Sequence, residues 1–157
     1  MKVDTHLTAD WHKVPEHIKE LESQGFDGAG TAEMSHDPFM PLMLAAEHSK
    51  TIELHTGIAV AFARSPMVLA NLGHDLNAYS AGRFTLGLGS QIRPHITKRF
   101  SMPWGAPAAQ MRELVQAMRA IWANWYEGEA LHHDGKYYNH TLMTPAFTPE
   151  NIEYGAP

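Results

Sequence analysis

Four times this chain runs a short extended segment into a helix, and that alternation constrains the fold more than any other feature. The extended segments begin near residues 2, 26, 52 and 83, a repeat of 24 to 31 residues. Alternating strands and helices imply a parallel sheet with right-handed crossovers, so the fold class is α/β. The strands are predicted over Lys2–Leu7, Phe26–Thr31, Ile52–Ala61 and Arg83–Gly89.

Each helix carries its own boundary signals. The first has Pro15 near its first turn and Gly25 just past its end, with Val14, Ile18 and Leu21 as its apolar stripe. Asp37-Pro38 caps the second, which runs to about Ser49. Ser65-Pro66 caps the third, whose stripe reads Val68, Leu69, Leu72, Leu76 and Tyr79 before Gly82 stops it. In the fourth, Met111, Leu114, Val115, Met118, Ile121, Trp122 and Trp125 form a wide stripe, better explained by core packing than by a cofactor-binding aromatic box. A small β-hairpin is predicted over Glu129–His140 around Asp134-Gly135, a favoured two-residue turn. From Thr144 onward three prolines occur and periodicity ends.

Two closures suit such a sheet: an open doubly wound sheet, or a (β/α)8 barrel. A barrel typically needs ~250 residues, and only four units are present in 157 residues, read as a single partial domain. Periodicity leaves both open. Composition narrows the partners instead. Net charge is −5, and the only local basic group, Arg93, Lys98 and Arg99, is too sparse for a nucleic-acid footprint. No run approaches the ~20 apolar residues of a membrane span. The absence of cysteine fits a reducing cytoplasm. Eleven histidines invite a metal reading, but His132-His133 is an adjacent pair and no His-Glu-x-x-His occurs, so no metal site is expected.

In either parallel architecture function gathers at the carboxyl ends of the strands. There lie His6 after the first, Glu33 to Asp37 after the second, Ala59 to Ser65 after the third, and Gly87 to Arg93 after the fourth. Gly87-x-Gly89 is a weak dinucleotide signal, because Ile92 stands where the third glycine belongs. Ala59, Ala61 and Gly89 could floor a flat isoalloxazine-like ring or simply fill a tapered barrel; residues alone leave both readings open. His36, between the carboxylates Glu33 and Asp37, is a proton-transfer candidate, or else a helix-entry residue beside a cap.

Gly25-Phe26-Asp27, the Glu33-to-Pro38 turn, Ile52-Glu53-Leu54 through Ser65-Pro66, and Ser80-Ala81-Gly82-Arg83-Phe84-x-Leu86-Gly87-Leu88-Gly89 together resemble the luciferase-like monooxygenase class, in order and spacing. The stretch from Ala59 to Trp104 looks closest to the branch that uses the deazaflavin coenzyme F420. The resemblance implies a (β/α)8 barrel of which this chain forms the N-terminal half, with the cofactor ring at its C-terminal face. It implies a non-proline cis peptide at Ala59-Val60, and cofactor contacts from Ala59, Val60, Ala61, Gly89, Ser90 and Gln91. Catalysis falls to His36 and Glu33, and contact with a small-molecule substrate to His6 and Arg64. Relatives often place a histidine directly after the acidic residue; here Met34 stands there and His36 lies two positions on. The implied reaction is hydride transfer between that substrate and F420. The alternatives are FMN-dependent oxygenation or a non-catalytic flavin-binding half barrel. Four units alone are expected to be inactive. A half barrel should also expose strand edges and apolar inner faces, favouring a homodimer or other association along those edges.

Overall fold

The computed structural model describes residues 1–8, 10–150 and 152–157. In chain order its strands are β1 (Asp4–His6), β2 (Gly28–Thr31), β3 (Glu53–Thr56), β4 (Ala59–Val60), β5 (Phe84–Thr85), β6 (Leu88–Gly89), β7 (His133–Asp134) and β8 (Asn139–His140). Its longer helices are α1 (Val14–Ser23), α2 (Phe39–His48), α3 (Pro66–Tyr79) and α4 (Pro107–Glu127). None is long and apolar enough to cross a membrane among the described residues. Two compact units result. The first comprises Met1–Ala59, Gly73–Leu88 and Tyr154–Pro157, the second Val60–Leu72 and Gly89–Glu153.

The first unit holds a parallel sheet of order β1-β2-β3-β5. Neighbours in space are neighbours in sequence, with none of the order reversal that defines a doubly wound sheet. That order is the one a barrel uses. Register then assigns the faces, because successive strand residues point to opposite sides. Thr5, Ala29, Leu54 and Phe84 share one face, on which Ala29, Leu54 and Phe84 are buried, and Ile18 and Leu21 of α1 and Leu42 of α2 are buried too. The opposite face, the one a barrel encloses, carries Asp4, His6, Gly28, Gly30, Glu53, His55 and Thr85. It is polar and rich in glycine, which corrects the expectation of an apolar inner face: the apolar residues of these strands all have the parity of the other face.

Two predicted strands divide. The third breaks after Thr56, passes through a cis Gly57–Ile58 peptide, and resumes as β4. The fourth divides between β5 and β6 at Leu86-Gly87. Both breaks have one cause. The Gly87 carbonyl accepts from the Ala59 N–H at 2.9 Å and from the Thr56 hydroxyl at 2.7 Å, while the Gly57 N–H turns to the Thr31 carbonyl. Along α3 the buried stripe is narrower than predicted: Leu69 and Leu76 are buried, whereas Val68 and Tyr79 are exposed.

Side chains fasten the helix ends of this unit. Arg83 donates from Nε to the Ser80 carbonyl, from Nη1 to the Ser49 hydroxyl and Ile52 carbonyl, and from Nη2 to the carbonyls of Ala46 and Ser49. One Glu22 oxygen accepts from the N–H groups of Lys50, Thr51 and Ile52 and from the Thr51 hydroxyl. Burial would raise this carboxyl, but the four donors outweigh it and bring its pKa down to about 2.

In the second unit α4 buries Leu114, Met118, Ile121, Trp122 and Trp125. The Trp122 indole donates to the Ala70 carbonyl of α3, a packing role of the kind the stripe predicted. Gly128, left-handed at φ +72°, ends the helix. The hairpin forms, but its turn is displaced. Asp134 pairs with Asn139 and His133 with His140, so the loop is residues 135–138 and not Asp134-Gly135. Glu113 of α4 sets that register by accepting from the N–H groups of Tyr137 and Tyr138 at 2.6 and 2.8 Å. Gly135 is small for the same reason, since a Cβ there would meet Glu113 Oε1 at 2.2 Å.

Candidate functional site

The loop leaving β2 is held at both ends. The Thr31 hydroxyl donates to the Pro38 carbonyl at 2.8 Å, and Asp37 Oδ1 accepts from the Phe39 N–H at 2.8 Å, capping α2 as its sequence signal predicts. Between these anchors the chain opens a small cleft of about 80 Å³, lined by His6, Thr31, Met34, His36, Asp37 and Pro38 among others. Two of the predicted site residues, His6 from β1 and His36 from this loop, therefore line the same cleft. His36 is exposed, and its ring stands edge-on to Trp11 with centroids 5.8 Å apart.

The two carboxylates flanking His36 in sequence part company in space. Asp37 is committed to the helix cap. Glu33 is buried, 8% exposed, and its N–H donates to the Ile58 carbonyl at 3.1 Å, so it ties the end of β2 to the segment after β3. The cleft is thus lined by two imidazoles and by Asp37, while Glu33 is buried and is not among its lining residues.

At the end of β3 the cis peptide lies at Gly57–Ile58, two residues before the Ala59-Val60 position implied by the resemblance. The reason is the change of partner: Gly57 still bonds back to Thr31 of β2, while Ala59 already bonds forward to Gly87. Exposure follows the same shift. Gly57 and Ile58 are exposed, whereas Ala59, Val60 and Ala61 are each 0% exposed. In the first unit the accessible residues at this strand end are therefore Gly57, which has no side chain, and Ile58, while Ala59 is buried. His55 of β3 lies on the same barrel-facing side as His6, its ring packed on Gly30.

Val60, Ala61, Arg64, Gly89, Ser90 and Gln91 belong to the second unit. Three of them are joined: Arg64 donates its N–H to the Ala61 carbonyl at 3.1 Å and Nη1 to the Val60 carbonyl at 3.2 Å. Gln91 adopts φ +59°, a region few non-glycine residues occupy, and its Oε1 accepts the Ile92 N–H at 2.9 Å. The Ser90 hydroxyl donates to the Gln91 carbonyl. Arg64 and Ser65 also line a pocket of about 290 Å³ with Phe62, Trp104, Tyr137 and Tyr138.

Sequence reasoning missed Trp11, His55 and this aromatic pocket. Trp11 had a usable signal, since it lies in the first strand-to-helix connection, where barrel sites are built. His55 had one too: it shares strand parity with Glu53, on the opposite face from Leu54. The pocket had none, because its walls come from three segments, around Phe62, Trp104 and Tyr137, that are far apart in sequence.

Comparison with known proteins bears directly on this arrangement. An uncharacterized protein of Mycobacterium tuberculosis is 56% identical over all 157 residues, which cover 46% of that protein. The 5,10-methylenetetrahydromethanopterin reductase of Archaeoglobus fulgidus is 26% identical over 144 residues, 90% of this chain and 42% of the reductase. The chain therefore spans about half the length of the curated relatives it matches. Among solved structures, the coenzyme F420 dependent tetrahydromethanopterin reductase of Methanopyrus kandleri superposes with a TM-score of 0.71 at 22% identity, covering 88% of this chain and 43% of that one. The solved neighbours include both F420-dependent enzymes and an FMN complex. They share the (β/α)8 architecture, of which the parallel β1-β2-β3-β5 sheet and its helices are a part. The family model for luciferase-like monooxygenases matches residues 2–157, and the chain belongs to that family of oxidoreductases and monooxygenases.

Proposed function

We propose that this chain supplies part of the catalytic face of an oxidoreductase that moves a hydride between a small organic substrate and coenzyme F420. The observation that carries the reading is the strand-end surface of the first unit. There the exposed glycine Gly57 occurs in the same unit as a cleft lined by two imidazoles, His36 and His6. A flat ring needs a surface without projecting side chains, and a Cβ at Gly57 would meet only ordinary contacts with His55 at 3.7 Å. The residues present fit such a ring. The sequence from Ala59 to Trp104, and the match to a methanopterin reductase, favour the deazaflavin over FMN.

When bound, the deazaflavin supplies the hydride position, and the protein positions it and handles protons. His36 is the group suited to move a proton, because its imidazole is exposed at the cleft and oriented by Trp11. Glu33 acts as a positioning residue through its N–H bond to Ile58. His6 orients the substrate from the facing strand. Within the first unit, Ala59 follows Ile58 directly in sequence and is fully buried, which suits it to backing such a ring.

The test titrates the complete enzyme that carries this chain with F420 and with FMN, then follows reoxidation of the reduced coenzyme by carbonyl substrates. F420 should bind at least tenfold more tightly than FMN. His36→Ala should retain F420 while turnover falls by ~10²–10⁴. Preferential retention of FMN, or turnover unchanged in His36→Ala, overturns the assignment.

A further inference from the structure

The pocket of the second unit joins aromatic walls to two phenols whose oxygens are already engaged. Phe62 and Trp104 meet edge to face, centroids 5.7 Å apart, and Tyr137 and Tyr138 of the hairpin loop complete the lining. Its volume of about 290 Å³ lies near the lower end of small-ligand pockets, ~300–1,000 Å³. That is room for two fused rings. Walls of this kind favour flat, aromatic ligands, which they meet by offset and edge-on stacking.

Gln110 sets the polarity inside. Its side chain is buried and bonded at both ends: Oε1 accepts the Gly105 N–H at 3.0 Å, which leaves the amide nitrogen facing Tyr138 Oη at 3.2 Å. An amide nitrogen donates and cannot accept. The Tyr138 hydroxyl is therefore the acceptor of that bond and keeps its own hydrogen to give. Burial pushes this phenol up, the Gln110 bond opposes the shift and the Glu113 charge adds to it, so the proton stays on near neutrality. Tyr137 repeats the arrangement, its Oη accepting the Ala106 N–H at 3.3 Å. Glu113 fixes both residues from behind by accepting their backbone N–H groups. Two adjacent phenols thus offer O–H donors, and no carboxylate is among the residues that line the pocket. Arg64 lines it too, but its guanidinium donates to the Val60 carbonyl at 3.2 Å, and recognition by the phenols needs no cation.

We propose that this pocket binds an uncharged bicyclic heteroaromatic ring bearing a hydrogen-bond acceptor, a ring nitrogen or a carbonyl, with the ring among Phe62 and Trp104 and the acceptor on the Tyr137 and Tyr138 hydroxyls. Neutral donors match a neutral acceptor without the cost of burying an unpaired charge. The pocket lies wholly within the second unit, and the proposal stands apart from the redox reading. The small residue at Gly105 belongs to the same design: a Cβ there would meet Tyr137 Cε1 at 2.4 Å and push the ring off its place.

Calorimetric titration of the complete protein that carries this chain with quinoline and with indole, near pH 8, tests this. Both probes are uncharged bicyclic aromatics of similar size, but quinoline offers a ring-nitrogen acceptor where indole offers only an N–H donor. Quinoline should bind at least tenfold more tightly than indole. Replacing both phenols, Tyr137→Phe with Tyr138→Phe, should lower the affinity for quinoline to that for indole and leave indole unchanged, whereas Trp104→Ala should weaken both. Equal affinity, or a preference for indole, overturns the proposal, as does a quinoline preference that survives loss of both hydroxyls. Quinoline binding untouched by Trp104→Ala, or no binding of either probe up to millimolar concentration, overturns it as well. The quinoline–indole comparison on the unsubstituted protein needs no variant, so it decides the matter even if the phenylalanine variants fold poorly.

Discussion

The His55 imidazole lies directly on Gly30, so close that a Cβ at position 30 would meet Nε2 at 2.2 Å. The two residues are register partners on adjacent strands and share the barrel-facing side of the sheet. Gly30 is therefore small because His55 is there, and Gly30→Ala must drive the ring away. We expect a loss of ~1–3 kcal/mol, the usual cost of overpacking. In a His55→Ala background the same substitution should cost at least ~1 kcal/mol less, since coupled neighbours are not additive. Urea midpoints of the four proteins measure this, and equal penalties in both backgrounds would show that the contact does not exist.

Gly87 presents the harder case. A Cβ there would meet the Thr56 carbonyl oxygen at 1.9 Å, and backbone cannot rotate aside as an imidazole can. The Gly87 carbonyl also holds the Thr56 hydroxyl and the Ala59 N–H, so any shift of the strand breaks two hydrogen bonds. Gly87→Ala should cost more than Gly30→Ala, on the order of 3 kcal/mol or above. Thermal unfolding of the two variants side by side is enough: a milder Gly87→Ala would contradict this packing.

These contacts also show what the sequence could and could not convey. Strand–helix order and helix caps are written locally, in Asp37 before Phe39, Gly25 after Ser23 and the stripe of α4, and they were legible. The position of the cis peptide was not, because it depends on which strand Gly57 and Ala59 each bond to. The polarity of the inner face was available in principle, as Asp4, His6, Glu53 and His55 alternate with Thr5 and Leu54, but the strands are too short for that pattern to stand out. The local surroundings of Glu33, His36 and Asp37 were not legible either: Glu33 is buried, His36 is exposed at the cleft, and Asp37 lines the cleft while its Oδ1 caps α2. The aromatic pocket could not be anticipated at all, since Glu113 places Tyr137 and Tyr138 through backbone hydrogen bonds that no residue pattern records.

Glu22 links stability to acid. Its folded pKa of about 2 lies below the ordinary 4.5, so its contribution is fully present above the unfolded value and is lost as pH falls from about 4.5 towards 2. After discounting for solvent screening at a partly exposed site, that contribution is on the order of 1 kcal/mol. Glu22→Gln should lower the thermal midpoint at pH 7 and lower it much less at pH 2.5, where most of the contribution is already lost. An equal drop at both pH values would mean that packing, and not the charge on the carboxylate, fastens residues 50–52.

Arg83 holds the ends of two helices together through five acceptors, on Ala46, Ser49, Ile52 and Ser80. Its planar fork reaches the Ser80 carbonyl with Nε while both terminal nitrogens face the end of α2. A lysine keeps the charge favoured near helix carbonyl ends but concentrates its donors at one point, so it can serve one side or the other. Arg83→Lys should therefore lose ~2–3 kcal/mol, the scale of charged hydrogen bonds left unmade in a half-buried site. The loss should also be local. Hydrogen exchange should quicken at the end of α2 and around Ser80, while the amides of α4 keep their protection until global unfolding. If Arg83→Lys matches the unsubstituted protein in stability and exchange, charge at the helix ends suffices and the fork geometry is incidental. If exchange quickens only around Ser80, the lysine has kept the α2 side and the Nε bond is the one that the guanidinium alone can make.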